Sequence, residues 1–234
     1  VFPNNWFSLH KNGNFYLYPM FSENRRKERR KDIIQHIKGT YNVKQIIDLS
    51  HYEKENKFLE GTGSMVLDRE NKICYASTSK RTNSEILNIF CKHSGYEPVT
   101  FKGYQKVNNS FEEIYHTNVI MSIGINYVII CLQCINSKKE RKFIIDKITS
   151  TGKTIIEISE YQLNNFAGNM LQVENENGKK FLIMSKKAYE SLEDDQIKLI
   201  ESYNEIIYSD LSIIETLGGG SARCMISENF LEKK

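Results

Sequence analysis

The sequence predicts a mixed α+β fold assembled from a recurring unit of two strands, one helix and a third strand. Short apolar runs typical of strands alternate with segments of helical spacing, and the unit recurs roughly every 50 residues. This recurrence indicates a modular or propeller-like architecture. The blocks share negligible sequence identity, so a plain α+β sandwich is the alternative. No linker rich in Pro, Gly or Ser divides the chain, which predicts one domain over residues 1–234.

The individual elements follow from the spacing of apolar residues. The clearest helix is 84–93, where the apolar residues at 86, 87, 89 and 90 fall on one side and Ser84 takes the capping position. Further helices are predicted at 137–150, 186–192 and 194–203. Strands are predicted at 43–48, 64–67, 73–76, 99–101, 119–123, 127–132, 154–158, 170–173, 181–184 and 206–208.

The composition is that of an ordinary globular protein and excludes several function classes. Hydrophobic residues make up 40% and charged residues 26%, and 32 basic against 29 acidic residues give a net charge of +3. No polyanion partner follows from this balance. The basic run 25–31 contains an acid and no aromatic residue, so a solvated helix start is favoured over a nucleic-acid patch. No apolar run of about 18 residues predicts a membrane span.

The five cysteines indicate reduced thiols and a cytoplasmic location, because their number is odd and their spacing irregular. Cys131 and Cys134 have CxxC spacing but lie in an apolar run, which favours core thiols over metal ligands. The chain shows no signal-peptide pattern. It begins with Val1, and its first methionine is Met20, so we expect the chain to start inside a longer sequence.

The segment 218–224, Gly-Gly-Gly-Ser-Ala-Arg-Cys, is the most informative stretch of the chain. Consecutive glycines favour neither helix nor strand, and they are tolerated where the backbone passes close to a ligand. Cys224 follows and precedes two apolar residues, which predicts a thiol at the mouth of a short strand. A turn that leads to an inert buried thiol is the alternative.

Three further segments place polar residues among apolar ones. Glu60 follows two apolar residues and precedes Gly-x-Gly, so it is either a general acid/base or a turn carboxylate. His116 and Asn118 would project to the same side of a predicted strand. Asn169 lies in a turn of small residues, as a ligand contact or a turn former. A Cys, a His and an acid on separate segments meet the general pattern of nucleophilic catalysis, which cysteine proteases and transglutaminases also show.

These segments resemble those of the guanidine-group-modifying superfamily, the pentein fold of arginine deiminases, agmatine deiminases, dimethylarginine hydrolases and amidinotransferases. Residues 60–63 resemble its Glu-Gly-Gly-x box, 116–118 its His-x-Asp element, 218–224 its Gly-Gly-Gly-x-x-x-Cys element and 79–82 its Ser-x-Arg-Thr element. The sequence of the whole chain is most similar to the branch described as citrulline-utilisation hydrolases or amidinotransferase-like proteins. Residues 2–6, 17–20, 24–26, 115–119 and 166–170 also carry this resemblance.

The resemblance implies five ββαβ modules around a pseudo-fivefold axis. Members carry additional sequence before the segment 2–6, so the first module is expected to be incomplete. It also implies catalytic roles for three residues. Cys224 would attack a guanidino or ureido carbon, His116 would protonate the departing amine and then activate water, and Glu60 would hydrogen-bond the substrate nitrogens.

Further residues would bind the substrate. Arg81 and Arg26 would pair with the substrate carboxylate, since a guanidinium fork suits that task. The backbone at Gly219 and Gly220 could approach the substrate without a Cβ in the way. Asn118 and Asn169 would face the ligand as amides.

Two departures from the related deiminases favour an uncharged substrate. Asn118 and Asn5 stand where the deiminases have Asp. A cationic guanidinium favours carboxylates, whereas the carbonyl oxygen of a ureido group needs a donor that an amide supplies. The departures therefore predict hydrolysis of citrulline to ornithine, ammonia and carbon dioxide. The alternatives are arginine deiminase or amidinotransferase chemistry on a guanidine, and a non-catalytic binding module.

The scheme requires no cofactor and no metal, because the chain has no metal-ligand spacing and no Lys-Ser/Thr after its glycines. The expected partner is a small amino-acid substrate, with no nucleic acid and no membrane. A homo-oligomer is compatible with the sequence.

Overall fold

The chain folds into four units of the same construction. The computed structural model describes residues 2–107 and 110–234, so Val1, Asn108 and Asn109 lie outside the described residues. Each unit contains a three-stranded sheet in which the middle strand is antiparallel to the first strand and parallel to the third. Parallel neighbours need a crossover connection, and helices supply it in every unit. The predicted recurrence of two strands, a helix and a third strand is confirmed.

The strands group by unit, with a separate hairpin between the second and third units. In chain order they are β1 (Phe7–Leu9), β2 (Asn14–Leu17), β3 (Gln45–Asp48), β4 (Val66–Asp68), β5 (Ile73–Ser77), β6 (Glu97–Phe101), the hairpin β7 (Tyr104–Val107) and β8 (Ser110–Glu113), β9 (Met121–Ile123), β10 (Tyr127–Ile130), β11 (Thr154–Glu157), β12 (Leu171–Glu174), β13 (Lys180–Ser185) and β14 (Glu205–Ser209).

The helices are short, and most of them form the crossovers or the turns between units. They are α1 (Glu23–Arg26), α2 (Lys31–Thr40), α3 (Gly61–Ser64), α4 (Ser84–Ser94), α5 (Thr117–Ile120), α6 (Lys138–Thr149), α7 (Glu160–Asn164), α8 (Lys186–Ser191), α9 (Asp194–Glu201) and α10 (Ser212–Gly218).

The described residues form four three-stranded sheets, and the expectation that the family's first module is incomplete stays a prediction. The first unit has all three strands, β1–β2–β3, in the same order as the other three units. Residues 2–107 and 110–234 contain four three-stranded sheets and no fifth one, whereas five modules are expected. The C-terminal segment joins the fourth unit to the first instead. Arg223 N donates to Asn169 O at 3.4 Å, and Asn42 N donates to Glu232 O at 2.9 Å.

The core consists of three apolar clusters, of which one joins the second, third and fourth units, one joins the first and second units, and one lies within the first unit with Leu231. The middle strands β5 and β10 are buried along their whole length. A strand covered on both faces reads as a continuous apolar run, which is why the sequence predicts β10 correctly. The cap of α4 differs from the prediction: Asn83, not Ser84, caps this helix, and its Oδ1 accepts from Glu85 N and Ile86 N at 3.0 and 3.2 Å.

Among the described residues, none of the helices combines the length and the apolar character that a membrane span requires.

The fourth unit approaches the third closely at a glycine, which gives a stability test. A Cβ added to Gly168 would lie 2.0 Å from Val119 O. Because that neighbour is backbone, Gly168→Ala should lower the free energy of unfolding by about 2 kcal/mol. Gly39→Ala on α2 is the control, since no described atom lies within 4 Å of its Cβ and the change should stabilise by roughly 0.5 kcal/mol. Urea denaturation measures both, and equal effects would contradict the close packing.

The stability of the fold should fall in acid because of one buried histidine. His10 Nε2 lies 2.8 Å from Ser8 Oγ, and burial followed by the charge of Arg69 lowers the pKa of His10 from 6.5 to about 3. Between these values the unfolded chain binds the extra proton, so acidification from pH 6.5 towards 3 destabilises the fold, by on the order of 4 kcal/mol from this group.

Unfolding measured across that pH range checks this expectation. His10→Gln should flatten the dependence, whereas His36→Gln, at an exposed position, should leave it unchanged. An equally steep pH dependence in the His10 variant would refute the assignment.

Candidate active site

Cys224 lies in a tight turn and not at the mouth of a strand, so that prediction is wrong. The helix α10 ends at Gly218, and Gly219 closes it with a φ of +69°, a left-handed conformation that favours glycine. The 3₁₀ turn Ala222–Met225 then carries Cys224, whose side chain is buried. A Cβ on Gly220 would lie 2.9 Å from Phe2 Cζ and 3.2 Å from Cys224 Cβ. The third glycine is therefore required by close packing beside the thiol.

His116 and Asn118 are also placed differently from the prediction of a strand. His116 precedes the single-turn helix α5, and Asn118 lies within it. Thr117 fixes this turn, because its Oγ1 accepts from Ser77 N at 2.8 Å and donates to Ser64 O at 2.5 Å. These contacts to another unit decide the local conformation, so the spacing of apolar residues could not reveal it.

Glu60 and His116 form a buried pair. His116 Nε2 lies 2.7 Å from Glu60 Oε2, and both side chains are at most 5% exposed. Burial lowers the pKa of His116, and the neighbouring carboxylate offsets this effect only in part. Burial would raise the pKa of Glu60, but the hydrogen bond and charge of His116, the N–H of Phe21 and the charge of Arg81 lower it instead. At neutral pH the pair is therefore a carboxylate and a neutral imidazole.

The carboxylate of Glu60 is fully engaged by the protein. Its Oε1 accepts from Phe21 N at 2.9 Å, and its Oε2 lies 3.5 Å from Arg81 Nη1 in addition to His116. The backbone of Glu60 is also held, because its N–H donates to Ser64 Oγ at 2.9 Å. Glu60 contacts His116, which lines a cavity, but Glu60 itself does not line that cavity.

Two amides surround the thiol of Cys224. Asn169 Nδ2 lies 3.2 Å and Asn118 Nδ2 lies 3.5 Å from Cys224 Sγ. Asn169 Nδ2 also donates to Asn118 O at 3.0 Å, which joins the two segments. The Oδ1 atom of Asn118 is buried and has no hydrogen-bond partner among residues 2–107 and 110–234. The site therefore offers donors to the sulfur and keeps one free acceptor.

Two arginines lie near the mouth of the site. Arg25 Nη1 donates to Asn5 Oδ1 at 3.0 Å, and Asn5 Nδ2 donates to Glu60 O at 3.3 Å. The guanidinium of Arg81 lies 4.7 Å from the ring centre of Tyr115. Arg26 points elsewhere: its Nε donates to Met20 O at 3.0 Å.

One cavity of about 240 Å³ collects these groups. It contains Cys224, His116, Asn118, Asn169, Asn5, Arg81, Gly219 and Gly220 from the sequence-based set, whereas Arg26 lies outside it. Residues that the sequence analysis did not select also line it, chiefly Phe2, Arg25 and Tyr115. Arg25 could have been found, because it adjoins Arg26 in the segment 24–26 that carries the resemblance.

A second cavity of about 550 Å³ shares Asn118 with the smaller one, since this residue lines both. Neither Cys224 nor His116 lines the larger cavity, so we place the candidate active site in the smaller one. Among the described residues, no group of three or more His, Cys, Asp or Glu side chains could hold a metal ion.

Solved structures share this fold over the whole chain. ArgZ, an arginine dihydrolase from the ornithine–ammonia cycle in cyanobacteria, matches with a TM-score of 0.71 and 19% identity, over 99% of this chain and 34% of that chain. AgrE in complex with L-arginine matches with a TM-score of 0.71 and 18% identity, over 100% of this chain and 32% of that chain. The present chain thus spans about a third of the length of these two proteins.

A dimethylarginine dimethylaminohydrolase, solved as an adduct with 4-chloro-2-hydroxymethylpyridine, matches with a TM-score of 0.63 and 17% identity, over 100% of this chain and 78% of that chain. The fold is that of the pentein proteins. Residues 1–231 match the family described as N,N dimethylarginine dimethylhydrolase, eukaryotic, and the chain belongs to this family of hydrolases that act on C–N bonds. No curated protein is similar enough to this chain to count as a match.

The Glu60–His116 pair can be tested by titration. Glu60→Gln removes the charge that favours the imidazolium, so the pKa of His116 should fall further below its ordinary value. Glu53→Gln is the matched control, because Glu53 Oε1 also accepts from a backbone N–H, that of Met20 at 2.8 Å. Imidazole chemical shifts followed across pH give both values. An unchanged pKa of His116 in the Glu60 variant would disprove the coupling.

Proposed function

We propose that this chain is a cysteine-dependent hydrolase that acts on the terminal carbon of a guanidino or ureido amino acid. The observation that carries the proposal is that Cys224 and a Glu60-bound His116, 108 residues apart in the chain, line one cavity. The family and the solved relatives support the same class of reaction, since their names describe hydrolysis at such carbons. The proposal treats residues 1–234 as one catalytic domain.

Cys224 is the nucleophile in this proposal. The amide donors of Asn169 and Asn118, at 3.2 and 3.5 Å, stabilise negative charge on the sulfur. The thiolate attacks the terminal carbon and forms a C–S bond. The C–N bond to the departing amine then breaks, and a water molecule later releases the second product and regenerates the thiol.

His116 carries the protons between these steps. The neutral imidazole accepts the thiol proton, and the imidazolium that results is stabilised by the Glu60 carboxylate at 2.7 Å. It donates this proton to the amine that leaves, which departs neutral. The imidazole is then neutral again and accepts a proton from the attacking water. Glu60 acts through His116 in this scheme, as a positioning residue, and not on the substrate nitrogens.

The carboxylate of the substrate is bound at the arginine end of the cavity. Arg81 was selected for this role from the sequence, and Arg25 takes the place of Arg26 because Arg25 lines the cavity. Arg25 is held in position by Asn5 and by Glu28, whose Oε1 lies 3.0 Å from Arg25 Nε. A guanidinium held in this way pairs with a carboxylate at a lower entropic cost.

The preferred substrate in our proposal is citrulline. Water would release a carbamic acid from Cys224, and its breakdown to an amine and carbon dioxide completes the yield of ornithine, ammonia and carbon dioxide. Among the described residues, no Asp or Glu lines the cavity, while two arginines do. The lining residues therefore offer no carboxylate partner to a cationic guanidinium at the reacting end. The amides of Asn118 and Asn169 can serve both parts of a ureido group, because an amide donates to a carbonyl oxygen and accepts from an N–H.

The second candidate is arginine or a methylated arginine. The description of the family names dimethylarginine, and ArgZ is named as an arginine dihydrolase. The Cys224 thiolate would itself supply one negative charge to a guanidinium. A non-catalytic binding module is the remaining alternative.

Three substrates distinguish these candidates. We expect kcat/KM for citrulline to exceed that for arginine and for N,N-dimethylarginine, with ornithine and ammonia measured as products. Cys224→Ser should reduce turnover by at least about 10³-fold while the fold is retained. A clear preference for either guanidine would overturn the citrulline proposal and leave the nucleophile assignment intact. Turnover that survives the Cys224 change would overturn the mechanism.

One added negative charge beside Cys224 should shift the substrate preference towards arginine. Asn118→Asp adds a carboxylate beside Cys224, so the ratio of kcat/KM for arginine to that for citrulline should rise about tenfold, the worth of one charge-assisted hydrogen bond. Asn164→Asp is the matched control, since it adds the same charge at an exposed position of the same cavity. A similar shift in both variants would assign the effect to the general potential of the cavity.

Alkylation tests the binding-module alternative. Iodoacetamide near neutral pH should label Cys224 faster than the other four cysteines, and Glu60→Gln should slow this labelling through His116. Slow and uniform labelling of all five cysteines would favour a binding module.

A further inference from the structure

Cys131 and Cys134 form a pair of thiols that the proposed reaction does not use. Both side chains are buried in the third unit, directly after β10. Cys134 Sγ donates to Cys131 Sγ at 3.0 Å. Their position in an apolar run predicts inert core thiols. Two sulfurs this close within one turn are poised to form a disulfide, because the S–S bond needs a movement of only about 1 Å from this separation.

The turn itself distinguishes the two cysteines. Cys131 precedes the 3₁₀ turn Leu132–Cys134 and occupies its N-terminal capping position. The thiol of Cys134 donates to Cys131 Sγ, so Cys131 is the acceptor of the pair. This hydrogen bond lowers the pKa of Cys131, against the effect of burial. The same hydrogen bond, followed by burial, raises the pKa of Cys134. Cys131 is thus the nucleophile of the pair and Cys134 the resolving thiol.

The chain contains a second neighbouring pair that serves as an internal comparison. Cys74 on β5 and Cys91 on α4 are also buried, and burial followed by Cys91 raises the pKa of Cys74. These two cysteines come from different elements, β5 and α4, and not from one turn. Burial alone therefore does not produce the arrangement found at Cys131.

We propose that Cys131 and Cys134 are a reversible oxidation site that a peroxide converts to an intramolecular disulfide. The Cys131 thiolate attacks one oxygen of hydrogen peroxide, which breaks the O–O bond and gives a sulfenic acid and, after protonation, water. The Cys134 sulfur then attacks Cys131 Sγ, an S–S bond forms and a second water leaves. Two thiols lose two hydrogens and two electrons, and the peroxide is reduced to two waters.

The surroundings allow access to the pair and connect it with the candidate active site. Gln133, between the two cysteines, is exposed, so opening of one surface turn admits a small oxidant. The N–H of Cys131 donates to Ile120 O at 3.0 Å. Ile120 ends α5, the helix that contains Asn118. A change at Cys131 therefore reaches the segment that contacts Cys224.

Mass spectrometry of the Cys224→Ala protein tests the proposal without interference from the active-site thiol. Five cysteines less one leave four. Hydrogen peroxide should remove two free thiols, and the peptide that contains both Cys131 and Cys134 should lose the mass of two hydrogens. Dithiothreitol should restore both thiols. Four free thiols after peroxide treatment that fully oxidises an exposed model dithiol, or a disulfide between other cysteines, would overturn the proposal.

Variants in the same background test the two roles. Cys134→Ser should leave a sulfenic acid on Cys131 that a cyclic 1,3-dione traps, whereas Cys131→Ser should give no adduct on Cys134. The reverse pattern would overturn the assignment of the nucleophile. Cys91→Ser is the matched control, since it removes another buried thiol and should leave the disulfide unchanged. Alanine replaces serine at any position where circular dichroism shows that the serine variant has not folded.

Discussion

The buried carboxylate of Glu60 is the constraint on which the site depends. It contacts the N-terminal unit through Phe21 N, the second unit through Arg81 and the turn before the third unit through His116. A carboxylate that is fully removed from water is stable only when such partners surround it. The need to satisfy Glu60 therefore brings segments from three units together and fixes the imidazole that faces the cavity.

The position of the thiol is fixed separately, by contacts between the fourth unit, the first unit and the C-terminal segment. Gly220 allows Phe2 to pack beside Cys224, and Asn169 connects the sulfur to the backbone of Asn118. Arg223, next to Cys224, pairs with Glu228 at 2.9 Å in the same segment. Each unit thus contributes residues to the lining of the cavity.

The electrostatic character of the cavity follows from what is buried behind it. The negative charge of Glu60 is balanced by its partners, so the surface of the cavity presents amides and arginines. This arrangement is the basis of the proposal that a substrate carboxylate binds at one end and an uncharged, polar group lies beside the thiol. Asn5 belongs to both regions, because its amide contacts Arg25 and the backbone of Glu60.

The sequence by itself determined the recurring unit and indicated Glu60 and His116. The reason is that buried strands such as β10 and motifs such as 218–224 can be identified from consecutive residues. It did not determine the turn at Thr117 or the closure of α10 by Gly219. It also did not determine that Arg25, and not Arg26, lines the cavity. These depend on contacts between residues far apart in the chain, such as Thr117 with Ser64 and Ser77. Only the tertiary structure decided them, since a partner from another unit outweighs local preference for strand or loop.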